Sequence, residues 1–127
     1  KVADGTICEF LSDDAVILHL MECKRTVKEN TWRQIKEQFQ GALLNAFAVC
    51  GLLNVKQIAE VRLYTAYRED KLDPVTTANP SLLKAPVGGK AASSAIEWRQ
   101  GQVRILDHGF KHQKVPLDHQ GLASITF

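Results

Sequence analysis

The residues of this chain best suited to chemistry lie near its start. Glu22-Cys23-Lys24 closes an apolar run, Val16 to Met21, that reads as a strand. Side chains on a strand alternate, so Glu22 and Lys24 point to one face and can address one site. A preceding hairpin brings a third group. If Ser12-Asp13-Asp14 forms the turn, Leu11 faces Ala15, and the same register carried outward sets Asp4 opposite Glu22. Opposed side chains are about 5 Å apart at Cβ, so Asp4, Glu22 and Lys24 converge. Two facing acids repel unless a cation lies between them, and a divalent ion fits that role. A bulge or a shorter turn would move the register and separate them.

Such a trio suits phosphodiester hydrolysis. Two carboxylates give hard oxygen ligands for Mg²⁺ or Mn²⁺, and the Cys23 carbonyl can add another. A bound divalent ion acidifies water and neutralises charge on a phosphoryl group. Lys24 can orient or help deprotonate the attacking water and stabilise phosphate charge.

The elements that position these groups follow from pattern. Residues 1–25 predict a β-hairpin, with strands over Thr6 to Leu11 and Ala15 to Arg25. Residues 31–50 predict a long helix, with Trp32, Ile35, Phe39, Ala42, Leu43 and Ala46 on one stripe. Asn30 is an N-cap candidate and Gly51 stands where a helix commonly stops. Thr26 and Glu29 offer an alternative capping box that starts the helix earlier. Residues 58–67 predict a strand, which makes a β-α-β crossover with parallel strands. Over 68–93, Pro74, Pro80, Pro86 and Gly88-Gly89 predict a long loop. The segment 94–127 predicts a β extension. Its expected strands are Ala95 to Trp98, Gln102 to Leu106, Gln113 to Pro116 and Ser124 to Phe127, with a hairpin turn at Arg99-Gln100-Gly101. The expected whole is one α/β domain: a central mixed sheet flanked by helices, with a core over 1–67.

The run Val2-Ala3-Asp4-Gly5, the apolar strands, Leu20-Met21-Glu22-Cys23-Lys24 and the following helix resemble the PD-(D/E)XK nuclease superfamily over residues 1–67. That resemblance implies a restriction-endonuclease-like core and a Mg²⁺- or Mn²⁺-dependent nuclease acting on DNA rather than RNA. Asp4 matches the acid of the "PD" element, with Ala3 in place of the proline, and Glu22 and Lys24 match the E-x-K element. Members often carry a glutamine or lysine on the helix after that strand. Gln38, about 60° round the helical wheel from Ile35, is the candidate, with Gln34 further towards solvent. The helix that usually precedes the first strand in this family is absent after Lys1. The chain starts without methionine, which leads us to expect a fused domain or removed leader upstream. Nucleases that cut both strands often act as homodimers. The alternative is a nuclease-fold module that binds nucleic acid or protein without cutting.

Composition limits the other classes. The chain has 127 residues, 45% hydrophobic and 24% charged, which excludes a disordered chain and allows one packed core. Net charge is +2, so positive charge for phosphate must be gathered locally, for example on Lys24, Arg25, Lys28, Arg33 and Lys36. The apolar stretch from Gly41 to Asn54 falls short of the ~20 residues that span a bilayer, so no membrane partner is expected. Cys8, Cys23 and Cys50 form no paired or zinc-type spacing, and buried free thiols in a reducing cytoplasm are expected. His19 reads as a packed histidine on the face away from Glu22, and His108, His112 and His119 as loop histidines. Trp98, next to Arg99, reads as a core residue ahead of a groove contact.

Overall fold

A computed structural model describes residues 1–73 and 90–127. The hairpin forms as β1, Gly5–Phe10, and β2, Ala15–Val27, joined through the expected Ser12–Asp14 turn. The pairs Phe10↔Val16 and Gly5↔Met21 set the register that carries Asp4 to Glu22. Leu11 N–H donates to the Ala15 carbonyl at 2.9 Å and closes the turn.

Helix α1 spans Glu29–Leu52, longer at both ends than its pattern predicts. Lys28 is its N-cap and provides no side-chain bond, so neither Asn30 nor a Thr26/Glu29 box caps it. Thr26 instead donates its hydroxyl to Glu69 at 3.0 Å. Gly51 does not end the helix. Asn54, at φ 56°, takes the left-handed position that glycine was expected to fill. Val55 N–H reaches the Cys50 carbonyl and Asn54 N–H the Gly51 carbonyl, which closes a Schellman motif.

Strand β3, Gln57–Asp70, runs parallel to β2, as the crossover reading expects. The long loop expected over 68–93 is shorter at both ends. β3 continues to Asp70, residues 74–89 lie outside the described residues, and a second helix, α2, covers Lys90–Gln100. Ala95 to Trp98, expected as a strand, therefore lies in α2. The apolar residues Ala95 and Trp98 are three apart and both buried, which is helical spacing that a four-residue window cannot separate from a strand. Arg99-Gln100-Gly101 is accordingly a helix end: Gly101 has φ 66° and its N–H reaches the Glu97 carbonyl.

The remaining hairpin is β4, Gln102–Ile105, with β5, His108–Pro116. Leu106 and Asp107 both have positive φ, the geometry of a two-residue turn that matches strand twist. Ser124 to Phe127, expected as a strand, is irregular. It still turns Ile125 towards Tyr64, Ala66 and Val115, while Phe127 lies 4.4 Å from the His19 ring.

The described residues thus form an α/β fold with a five-stranded mixed sheet in the order β1-β2-β3-β5-β4 and two helices. The main core lies between sheet and helices: Val16, Leu18, Leu20 and Leu63 meet Ile35, Phe39, Leu43 and Trp98. The C-terminal segment covers part of the other face. Among the described residues, no helix is long and apolar enough to cross a membrane.

Candidate functional site

The site grows from the point where β1 ends. The last ladder pair is Gly5↔Met21, so β2 continues past its neighbour with the β1 side of Cys23 open. Asp4 fills part of that opening. Its carboxylate Oδ2 accepts the Cys23 N–H at 2.8 Å. Its own N–H donates to Glu22 Oε2 at 3.2 Å. A strand residue directs its N–H and C=O to the same side, so the Cys23 carbonyl also faces Asp4.

Glu22 and Lys24 share a face, as strand alternation requires. The Glu22 side chain is fully buried, with 0% of its surface exposed, while Lys24 is 23% exposed. The Lys24 ammonium bonds Glu22 Oε1. Both Glu22 oxygens are therefore engaged, one by Lys24 and one by the Asp4 N–H. Burying an unpaired carboxylate is costly, so Lys24 is the counter-charge that lets Glu22 sit there. The thiol of Cys23, an exposed residue, is partly shielded and pushed above its ordinary value, first by desolvation and then by the Asp4 and Glu22 carboxylates. This exposure departs from the expectation that all three cysteines are buried: Cys23 points away from the helix-covered face that holds Glu22.

Gln38 is half-buried on α1 and Gln34 exposed, in the expected order, and Gln38 makes no side-chain hydrogen bond with the described residues. Residues 1–3 run from α1 to the site. A Cβ on Gly41 would overlap the Lys1 carbonyl, so this glycine permits the close crossing. Lys1 also pairs with Glu37 at 3.5 Å, and Ala3 packs on the core ahead of Asp4.

Asp4, Glu22 and the Cys23 carbonyl supply oxygen donors of the kind Mg²⁺ and Mn²⁺ take, and one or two carboxylates with waters suffice for Mg²⁺. Among the described residues there is no group of three or more His, Cys, Asp or Glu side chains that could hold a metal. In this arrangement the Glu22 oxygens already face Lys24 and the Asp4 N–H, so an ion would have to displace one of them. The donor set does not form a protein cage.

At this end of the parallel strands β2 and β3, a cleft of about 390 Å³ is lined by Cys23, Lys24, Arg25, Arg68 and Leu117. Open α/β sheets commonly bind ligands outside the carboxyl ends of their strands. Arg68 was missed in the sequence because its strand was ended at Tyr67. The crossover itself held the signal, since a strand parallel to β2 carries its carboxyl end to the same end of the sheet as Lys24. Of the other basic candidates, Lys36 pairs with Glu97 at 2.8 Å and Arg33 bonds Asn30, while Lys28 is exposed.

The histidines divide differently from the loop reading. His19 is buried as expected, between Tyr64 OH at 3.0 Å and Glu9 at 2.8 Å. His112 is a strand residue, not a loop one. It bonds Thr65 Oγ1 through Nε2 at 2.9 Å, and its buried Nδ1 has no hydrogen-bond partner among the described residues. Trp32, Trp98 and Phe39 surround the ring. Burial, then Lys114, pushes its pKa down to about 3. His108 and His119 are exposed. Trp98 is a core residue, with its indole N–H on Asp70 at 2.8 Å.

No family model, curated protein or solved structure matches this chain.

Proposed function

We propose that the chain is a metal-dependent nuclease of the PD-(D/E)XK type with a restriction-endonuclease-like core, hydrolysing phosphodiester bonds in DNA. The observation that carries this reading is the junction of Asp4 with Glu22-Cys23-Lys24 at the open end of β1, beside a basic cleft. Asp4, Glu22 and the Cys23 carbonyl would hold Mg²⁺ or Mn²⁺. When bound, that ion supplies an acidified water and charge neutralisation at phosphorus. Lys24 offers an ammonium to the phosphate and to the attacking water, and it must leave Glu22 Oε1 to do so. Gln38 stands half-buried on α1 as an assisting donor. Action in the cytoplasm and work as a homodimer belong to the same proposal.

Cleavage assays test it. Linear, circular and single-stranded DNA, and RNA, are incubated with the chain in Mg²⁺ or Mn²⁺ against EDTA, with Lys24→Ala and Glu22→Gln checked for fold and run beside it. The reading expects metal-dependent cutting of DNA, lost in both variants. Absence of cutting by the wild type, or full cutting by Lys24→Ala, refutes it.

One observation favours a second reading. Glu22 is buried with both oxygens engaged, an arrangement that suits a nuclease-fold module binding nucleic acid without cutting it. Metal-independent DNA binding with no cleavage under any condition would support that module.

A further inference from the structure

Arg25 and Arg68 stand side by side at the carboxyl ends of β2 and β3. Lys24 is registered with Tyr67 and Thr26 with Glu69, which leaves Arg25 beside Arg68 on the face opposite Glu22. Neighbouring strands are about 4.8 Å apart, and like charges in this position destabilise a sheet. Nearby acids relieve them only in part, since Glu69 acts on Arg25 from a distance. Among the described residues neither arginine makes an ion pair. Glu69 is held below its ordinary range mainly by the Thr26 hydroxyl and Lys71, with Arg25 adding less. Both arginines are exposed and both line the cleft that also contains Lys24.

The C-terminal segment packs beside one of them. Leu117 N–H donates to the Tyr67 carbonyl at 2.7 Å, which docks the segment against the end of β3. Asp118 Oδ1 then accepts the N–H groups of Gln120 and Leu122 and folds a tight turn. This turn sets Gly121, at φ 82°, next to the Arg68 guanidinium, where a side chain would crowd it. Two neighbouring guanidiniums that make no ion pair among the described residues suit a bidentate oxyanion.

We infer that Arg25 and Arg68 form a clamp for one phosphodiester of a nucleic-acid strand, next to the phosphate addressed by Lys24. The choice of nucleic acid as ligand rests on the proposed nuclease reading; the clamp itself rests on the paired arginines and the cleft. The clamp directs the strand from Lys24 across the end of the sheet to the C-terminal-segment side. Its contacts are to backbone phosphate and carry no sequence readout.

The test is binding in EDTA, where no cutting intervenes. Fluorescein-labelled single-stranded and duplex DNA of mixed sequence are titrated with the full chain across a range of NaCl concentrations, with anisotropy as the readout. Arg68→Ala and Arg25→Ala are expected to weaken binding about tenfold, equally for all sequences, and to lower the slope of log affinity against log salt by roughly 1 each. Arg104→Ala, which removes an exposed arginine on the edge strand β4, is expected to bind as wild type. Gly121→Asn keeps the left-handed turn but crowds the guanidinium, and is expected to weaken binding without changing net charge. Wild-type binding unaffected by Arg68→Ala, an equal loss in Arg104→Ala, or no binding by the wild type would overturn the clamp. If the wild type binds in this arginine-dependent way yet never cuts, the clamp stands and the nuclease reading falls. If it cuts and Arg68→Ala binds and cuts unchanged, the reverse holds.

Discussion

Lys24 answers the charge of a carboxylate that has no access to water, and the two residues are not equivalent in that pair. Lys24→Ala leaves Glu22 buried and unpaired and is expected to cost on the order of 3 kcal/mol. Glu22→Gln frees a half-exposed Lys24 to reach water and is expected to cost about 1 kcal/mol. Urea unfolding of both variants measures the difference, and equal losses would mean that the pair is not what stabilises Glu22. His112 gives a second residue-level expectation. Its folded pKa of about 3 lies below the ordinary 6.5, so the unfolded chain binds the extra proton between those values. Stability is full above pH 6.5 and falls as pH drops, by up to about 1.4 kcal/mol per pH unit. Glu60, held at about 2 chiefly by Arg62 and Lys111, and Glu69 lose their contributions only below their ordinary 4.5, so the window from 6.5 to 4.5 belongs to His112. Unfolding free energies of His112→Phe should be flat there, and a slope equal to the wild type would contradict the assignment. The approach of Asp4 to Glu22 was legible because strand alternation and turn length fix a register. The burial of His112 was not, because it depends on Trp32, Trp98 and Phe39 arriving from two distant helices.

At the scale of elements, α1 joins the core to the site. Gly41 lies inside the helix, where alanine would ordinarily stabilise by about 0.5–1 kcal/mol. Here the added Cβ would displace the Lys1 carbonyl and disturb the segment leading to Asp4. Gly41→Ala is therefore expected to lose more cleavage rate than stability, tenfold or more in rate, since a shift of about 1 Å in a catalytic group can cost about 100-fold. A large drop in melting temperature with no change in rate would contradict this. Helix α2 is held by Trp98, fully buried against Trp32 at 5.2 Å between ring centres and bonded to Asp70. Trp98→Ala should cost about 3–5 kcal/mol in a thermal or urea unfolding experiment. The long elements were legible because their periodicity runs over many residues: the α1 stripe and the apolar runs of β2 and β3. Boundaries were less so. The end of α1 moved to Asn54 because a left-handed residue and two backbone bonds set it. The stretch containing Trp98 is too short for its period to be read, and an indole suits strand and helix alike.

Across the whole molecule, the sheet divides the labour. One face is packed under α1 and α2, and the other is partly covered by the C-terminal segment. The open carboxyl ends of β2 and β3 carry Lys24, Arg25 and Arg68 around one cleft. A net charge of +2 gives the molecule little general attraction for DNA, so the proposed phosphate binding would rest on this local cluster. The sequence located the Lys24 side of the cleft. The Arg68 half depends on which strand lies beside β2 and on how the last residues fold back, and local patterning carries neither. The central claim is that Asp4 and Glu22 hold a divalent ion that Lys24 helps turn to phosphodiester cleavage. It is tested most directly by the single-turnover rate of cutting a labelled DNA in Mg²⁺ by the wild type and by Glu22→Gln. The account predicts cleavage by the wild type that EDTA abolishes and a loss of more than about 100-fold in the variant; equal rates for the two proteins would contradict it.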